Sequence, residues 1–209
     1  RVESGSWLPR YNRAGIIRKG DVMRVGVPKE SKKQEARVGL VPGSVREFRH
    51  HGHDVVVETM AGAGIGFDDD AYRAAGASVV DTAAEVFATA EMIVKVKEPQ
   101  PEEIAMLRDG QVLFTYLHLA ADKALTEGLM NSGCIGIAYE TVTNRHGHLP
   151  LLAPMSEVAG RMSLQVGAHN LERRQGGGGI LLGGAPGGGA AQGLFVVGGV
   201  SGINAARLA

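Results

Sequence analysis

From Met23 onward the chain alternates short apolar runs, rich in β-branched residues, with segments of helical pattern, and this alternation limits the folds open to it. The runs are MRVGVP (23–28), DVVVE (54–58), SVV (78–80), MIVKV (92–96), QVLFTYL (111–117) and CIGIAYE (134–140). Between the first two, PGSVREFRHHGH reads as a helix opened by Pro42 and Ser44 and closed by Gly52. DDDAYRAAGA reads as a shorter helix with acidic residues in its first turn and Gly76 at its C-cap. Strands alternating with helices predict an α/β fold with a parallel sheet.

Composition narrows the partners. The 209 residues suit one or two domains, and a formal net charge of zero gives no electrostatic case for nucleic acid or an anionic membrane. The single cysteine, Cys134, excludes an intrachain disulfide and a multi-cysteine zinc site, and suits a reducing cytoplasm. Neither histidine cluster, His50, His51 and His53 or His146 and His148, has metal-ligand spacing, so no metal is expected. No apolar run is long enough to span a bilayer. Residues 1–22 lack an apolar signal core and amphipathic order, and read as an extension or tail.

The later part of the chain changes character. Ser156 to Gln175 carries Val158, Met162 and Val166 at helical spacing, with the length of a helix joining two domains. Thirteen of the 31 glycines fall between Gly176 and Gly202, so this stretch is expected to be largely loop, with Ile180–Leu182 as a candidate short strand. A flexible linker and a loop lining a nucleotide cleft both fit it. LFVVGGVSGINAARLA (194–209) then reads as strand, glycine turn and helix, the opening of a dinucleotide-binding βαβ unit. Such a unit needs at least ~30 residues and a second parallel strand.

Four places carry side chains suited to chemistry. Arg37 follows the first strand, where a guanidinium can grip a small carboxylate through two parallel hydrogen bonds; the competing reading is an ordinary surface arginine. Lys95 and Lys97 lie at the end of a buried strand, alternation sends both to one face, and one of them can polarise a carbonyl. A lysine-tipped strand end is the alternative. His118 ends an apolar strand ahead of a helix beginning near Asp122, a position for a proton shuttle or for a satisfied core histidine. Ser156 reads as a helix N-cap.

Five segments together resemble the N-terminal portion of the bacterial alanine dehydrogenase family. They are MRVGVPKESKKQEARVGLVP, KVKEP, LFTYLHLAA, AYETV and LLAPMSEVAGRMSLQVGA, in that order. The resemblance implies a Rossmann-like, parallel-sheet substrate domain over 23–150. Over 151–209 it implies a linking helix, a glycine-rich loop and the truncated start of a second, NAD-binding Rossmann domain. It also implies reversible oxidative deamination of L-alanine, with NAD and water, to pyruvate, ammonium and NADH, in a cytoplasmic homo-oligomer, usually a hexamer. By motif, Arg37 would bind the substrate carboxylate and Lys97 the carboxylate or keto oxygen, and His118 would be the acid/base group. Ser156, Gly198, Gly199 and Gly202 would contact the cofactor, and Lys95 keeps its structural reading.

The glycine turn departs from the family's GGGxxG or GAGxxG form, being one residue short at Val197 to Gly202. The acidic ribose ligand expected ~20 residues further on would fall beyond residue 209. The 209 residues alone are therefore expected to bind NAD weakly and turn over negligibly. The competing identities are the nucleotide-binding subunit of a proton-translocating transhydrogenase and a non-catalytic truncated product.

Overall fold

The structure is a computed structural model that describes residues 22–194 and 198–209. Residues 1–21 of the expected 1–22 tail, and the apolar run Phe195–Val197, lie outside the described residues. The chain divides into two compact units, Arg1–Tyr139 and Glu140–Ala209. The sequence reading puts its boundary at 150/151, just before the long helix.

The first unit is a six-stranded, wholly parallel sheet. Its strands are β1 (Arg24–Val27), β2 (Asp54–Glu58), β3 (Ser78–Val80), β4 (Met92–Val94), β5 (Val112–Thr115) and β6 (Ile135–Ala138). The helices between them are α1 (Pro42–His50), α2 (Asp69–Ala74), α3 (Ala83–Thr89), α4 (Pro101–Ile104) and α5 (Lys123–Ser132). Strand order is β3-β2-β1-β4-β5-β6, so the chain winds outward from β1 in one direction and returns beside it to wind the other way.

Strand alternation builds a core on each face. Val55 and Val57 of β2 join Val27, Val45 of α1 and Tyr72 of α2 in one cluster. Val56 between them points the other way, packing with Phe87 of α3, Ile93, Leu113 and Leu125 of α5. Burying each such side chain contributes roughly 1.5–3 kcal/mol. Central β1 is buried except at its first residue, while edge strands β3 and β6 are half-exposed, as expected when only the middle strands are covered on both faces.

Helix starts follow local chemistry, with some differences from the sequence reading. Asp68, Thr82 and Asp122 cap α2, α3 and α5 with their side chains, Thr82 in a reciprocal capping box with Glu85. Helix α1 starts instead from Val41 with Pro42 in its first turn, so Ser44 lies inside the helix and caps nothing.

The second unit holds α6 (Ala153–Leu171) and α7 (Val200–Leu208). The two helices cross closely at Gly160, where an added Cβ would lie 2.2 Å from the Ser201 carbonyl oxygen. The stripe of Val158, Met162 and Val166 is present, but all three are about half-exposed or more. Ile180–Leu182 forms no strand; the glycine-rich stretch is turn and loop, with one isolated bridge between Ala185 and Gly188. No helix among the described residues is long and apolar enough to cross a membrane.

Candidate active site

The reversal of strand order between β1 and β4 places a crevice at the carboxyl ends of those strands, where doubly wound sheets bind their ligands. The loop after β1, the segment after β4 and the turn after β5 all converge there.

In the loop after β1, Gln34 takes a left-handed backbone (φ 67°), and the Glu35 N–H donates to the Lys32 carbonyl at 3.1 Å. That turn lays the Glu35 carboxylate along Arg37. The carboxylate accepts from the Arg37 backbone N–H at 2.9 Å, from Nε at 2.8 Å and from Nη2 at 2.6 Å. The side-chain hydrogen bonds from Arg37 hold Glu35 far below the ordinary carboxylate range, at about 2, and the charge of Lys97 acts in the same direction. Beyond it, Gly39 lies so close to β4 that a Cβ would meet the Val94 carbonyl oxygen at 2.4 Å. Only glycine lets this loop press against the end of the neighbouring strand.

The segment after β4 is held from below. Its ladder contacts with β5 continue past Val94: the Lys95 N–H donates to the Phe114 carbonyl at 3.1 Å, and the Tyr116 N–H to the Val96 carbonyl at 3.2 Å. The buried Glu30 carboxylate accepts the N–H groups of Val96 at 2.7 Å and Lys97 at 3.3 Å. Lys95 is wholly buried, with its Nζ 2.7 Å from Glu103 and 3.5 Å from Glu30. Burial raises the Glu30 pKa, against the opposing pull of Lys95. Lys97 differs: its side chain is 23% exposed, with Nζ 3.7 Å from Glu98 Oε2. Glu98 also receives Lys32 on Oε1. Burial opposes its charge, but the Lys32 hydrogen bond helps hold its pKa below the usual value. A cleft of about 470 Å³ adjoins this segment, lined by Lys32, Glu98, Gln100 and Asp122 beside Pro99 and Leu125.

His118 is exposed and stands in a left-handed conformation (φ 50°, ψ 35°), uncommon for a residue with a Cβ. It opens a short 3₁₀ turn, Leu119–Ala121, and its ring stacks on Tyr116 at 6.1 Å and 21°. Tyr139 packs edge-on against Tyr116 and Phe114, and burial pushes its hydroxyl pKa upward. Tyr116 lies within electrostatic reach of Arg37. Arg37, Lys97 and His118 are thus linked through two residues the sequence reading did not single out, Glu35 and Tyr116. Each stands two positions before the residue it touches, the spacing at which an extended chain brings side chains to one side.

Ser156 and the glycines lie in the second unit. Helix α6 begins at Ala153 with Leu152 as its N-cap, so Ser156 is inside the first turns and does not cap it. Ser156 stands one turn before Gly160, on the face of α6 that meets the start of α7. Helix α7 begins at Val200, with Gly199 as N-cap and no side-chain cap, so Gly202 lies buried in its first turn, within the helix. A Cβ at Gly198 or Gly199 would meet nothing within 4 Å. Gly198 and Gly199 thus precede a helix N-terminus that has no side-chain cap. Among the described residues, no group of three or more His, Cys, Asp or Glu could hold a metal ion.

Comparison with known proteins identifies the family and the fold. Residues 26–159 match the family described as "Alanine dehydrogenase/PNT, N-terminal domain". The alanine dehydrogenase of Halomonas elongata is 56% identical over 187 residues, covering 90% of this chain and 50% of that one. That of Bacillus subtilis is 52% identical, covering 90% and 49%. The chain therefore spans about half the length of the curated relatives it matches. A solved L-alanine dehydrogenase superposes with a TM-score of 0.82 at 54% identity, covering 89% of this chain and 51% of that one. A transhydrogenase from Sinorhizobium meliloti is more distant, with a TM-score of 0.70 at 28% identity over 88% of this chain and 56% of its own.

Proposed function

The chain belongs to the alanine dehydrogenase/PNT N-terminal domain family, and on that premise we propose that it is the substrate-binding portion of an L-alanine dehydrogenase. The reaction is the reversible conversion of L-alanine, NAD and water to pyruvate, ammonium and NADH. The observation that supports this reading is that Arg37, Lys97 and His118 follow the carboxyl ends of the neighbouring strands β1, β4 and β5, with Tyr116 in electrostatic reach of Arg37 and stacked on His118. The relatives' 52–56% identity favours alanine dehydrogenase over the transhydrogenase alternative.

Arg37 binds the substrate carboxylate. Lys97, whose side chain is 23% exposed, holds the carboxylate or the keto oxygen and stabilises negative charge developing there. His118 removes a proton from water as it adds to the iminium carbon, gives that proton to the amine as it leaves, and takes up the carbinolamine hydroxyl proton as the carbonyl forms; in the reverse direction each transfer runs backward. NAD, when bound, supplies the hydride acceptor. Ser156, Gly198, Gly199 and Gly202 are the residues of this chain that would hold it. The division into a substrate domain over 23–150 and the start of a nucleotide-binding domain over 151–209 is part of the same reading. So are a cytoplasmic location and a homo-oligomeric, hexameric assembly.

The test is NADH oxidation by the protein as its gene encodes it. Oxidation requiring both pyruvate and ammonium, and falling by about 10²–10⁴-fold in His118→Ala, is expected. Hydride exchange from NADH to NADP, indifferent to ammonium, would select the transhydrogenase reading instead. The 209 residues by themselves are expected to stay far below the ~1 per second typical of enzymes.

A further inference from the structure

The relation between Glu35 and Arg37 goes further than an ordinary ion pair. Three N–H groups of one arginine converge on one carboxylate: the backbone N–H, Nε and Nη2. Such a set fixes both the plane of the guanidinium and its direction from the backbone. The two partners are also unequally exposed. The Glu35 side chain is 10% exposed, whereas that of Arg37 is 46% exposed. Glu35 therefore lies on the protein side of the pair, and the guanidinium lies toward solvent.

That asymmetry decides between two roles. A carboxylate competing with substrate for Arg37 would sit on the open side, where the substrate arrives. Glu35 sits behind. Its own position is fixed by the left-handed turn at Gln34 and the hydrogen bond from its N–H to Lys32, while Gly39 pins the far end of the loop against β4.

We propose that Glu35 is the positioning residue for the carboxylate clamp, holding the Arg37 guanidinium in the orientation that receives a small α-keto or α-amino carboxylate. This inference rests on the reading of Arg37 as the carboxylate-binding residue. Glu35 touches no substrate; it acts only through Arg37. Its depressed pKa keeps it ionised across the physiological range, so the clamp does not loosen with pH near neutrality.

The experiment has two readouts. In the chain labelled with ¹⁵N-arginine, the Arg37 Nε–H resonance is followed for exchange with water at neutral pH. Pyruvate KM and kcat are measured in the protein as its gene encodes it, for Glu35→Ala, Glu35→Gln and Arg37→Ala. The Nε–H should be protected in the parent and exchange freely in Glu35→Ala. Pyruvate KM should rise by about 10–100-fold in Glu35→Ala, far more than kcat falls, in keeping with the cost of misplacing a positioning group. Glu35→Gln keeps one acceptor oxygen for Nε and should recover part of the loss. Melting temperatures of all variants separate this from a loop that has simply come loose. A large KM effect in Arg37→Ala with none in either Glu35 variant would overturn the positioning role and leave the clamp intact. No effect in Arg37→Ala would overturn the reading of Arg37 itself. Tighter pyruvate binding in Glu35→Ala would show that Glu35 competes with substrate.

Discussion

Lys95 and Lys97 stand two residues apart at the end of one strand, yet they belong to different regions of the molecule. Lys95 is 1% exposed by side chain and enclosed between Glu103 and Glu30, whereas Lys97 is 23% exposed beside Glu98. An ammonium shut inside a carboxylate cage cannot reach a substrate oxygen; one at the rim can. The buried region is scaffold for the rim. Glu30 binds Lys95 on one side and, through the Val96 and Lys97 N–H groups, holds the backbone carrying Lys97 on the other.

The largest expected effect breaks the scaffold. Lys95→Ala leaves two buried carboxylates without their cation, and removing one partner of a buried ion pair typically costs about 3–5 kcal/mol. Urea unfolding of the chain should show that loss, while Lys97→Ala should cost no more than about 1 kcal/mol. Similar losses in both variants would erase the distinction between the two lysines.

The next effect is a difference in sign with pH. Glu35 has its pKa depressed to about 2 by the Arg37 hydrogen bonds. Its contribution to stability is therefore present above its unfolded pKa near 4.5 and is lost as pH falls toward 2. Glu30 is the reverse: burial raises its pKa above 4.5, so its contribution is full below 4.5 and is lost as pH rises through the folded value. Unfolding free energies of Glu35→Gln and Glu30→Gln, measured against the parent across this range, should diverge in opposite directions. The Glu35 arm is expected on the order of 1–3 kcal/mol above pH 5, the scale of a hydrogen bond to a charged group. Parallel pH profiles would mean that the two carboxylates share one environment.

The same contrast explains how much was legible in the sequence. The strands, most helices and the siting of Arg37, Lys97 and His118 near strand ends follow from periodicity and turn residues, which are local signals. The partners that define those residues are not local. Glu30 meets Val96 across 66 positions, and Gly39 meets Val94 across a packed strand end. Nothing in MIVKV separates the enclosed lysine from the rim lysine, because alternation reports a face and not what covers it. Glu35 and Tyr116 had a faint signal in their two-residue spacing from Arg37 and His118. The misplaced caps have a local cause: Pro42 and Pro154 each lie in a first turn, and the helices begin ahead of Ser44 and Ser156. Ile180–Leu182 had strand composition but found no neighbouring strand to pair with.

The smallest expected effect tests whether distance or enclosure sets the value of a pair. Lys123 Nζ lies 3.5 Å from Glu127, the same separation as Lys95 Nζ from Glu30, but the two side chains are 88% and 60% exposed. Water screens the attraction, and a lysine placed N-terminal to its glutamate is the weaker order along a helix. Lys123 also opens α5, where the positive end of the helix disfavours a cation. Lys123→Ala therefore removes a weak attraction together with a weak repulsion, and its unfolding free energy should stay within about 0.5 kcal/mol of the parent. A loss comparable to that of Lys95→Ala would show that separation alone governs these pairs, and the division between scaffold and rim would no longer follow from burial.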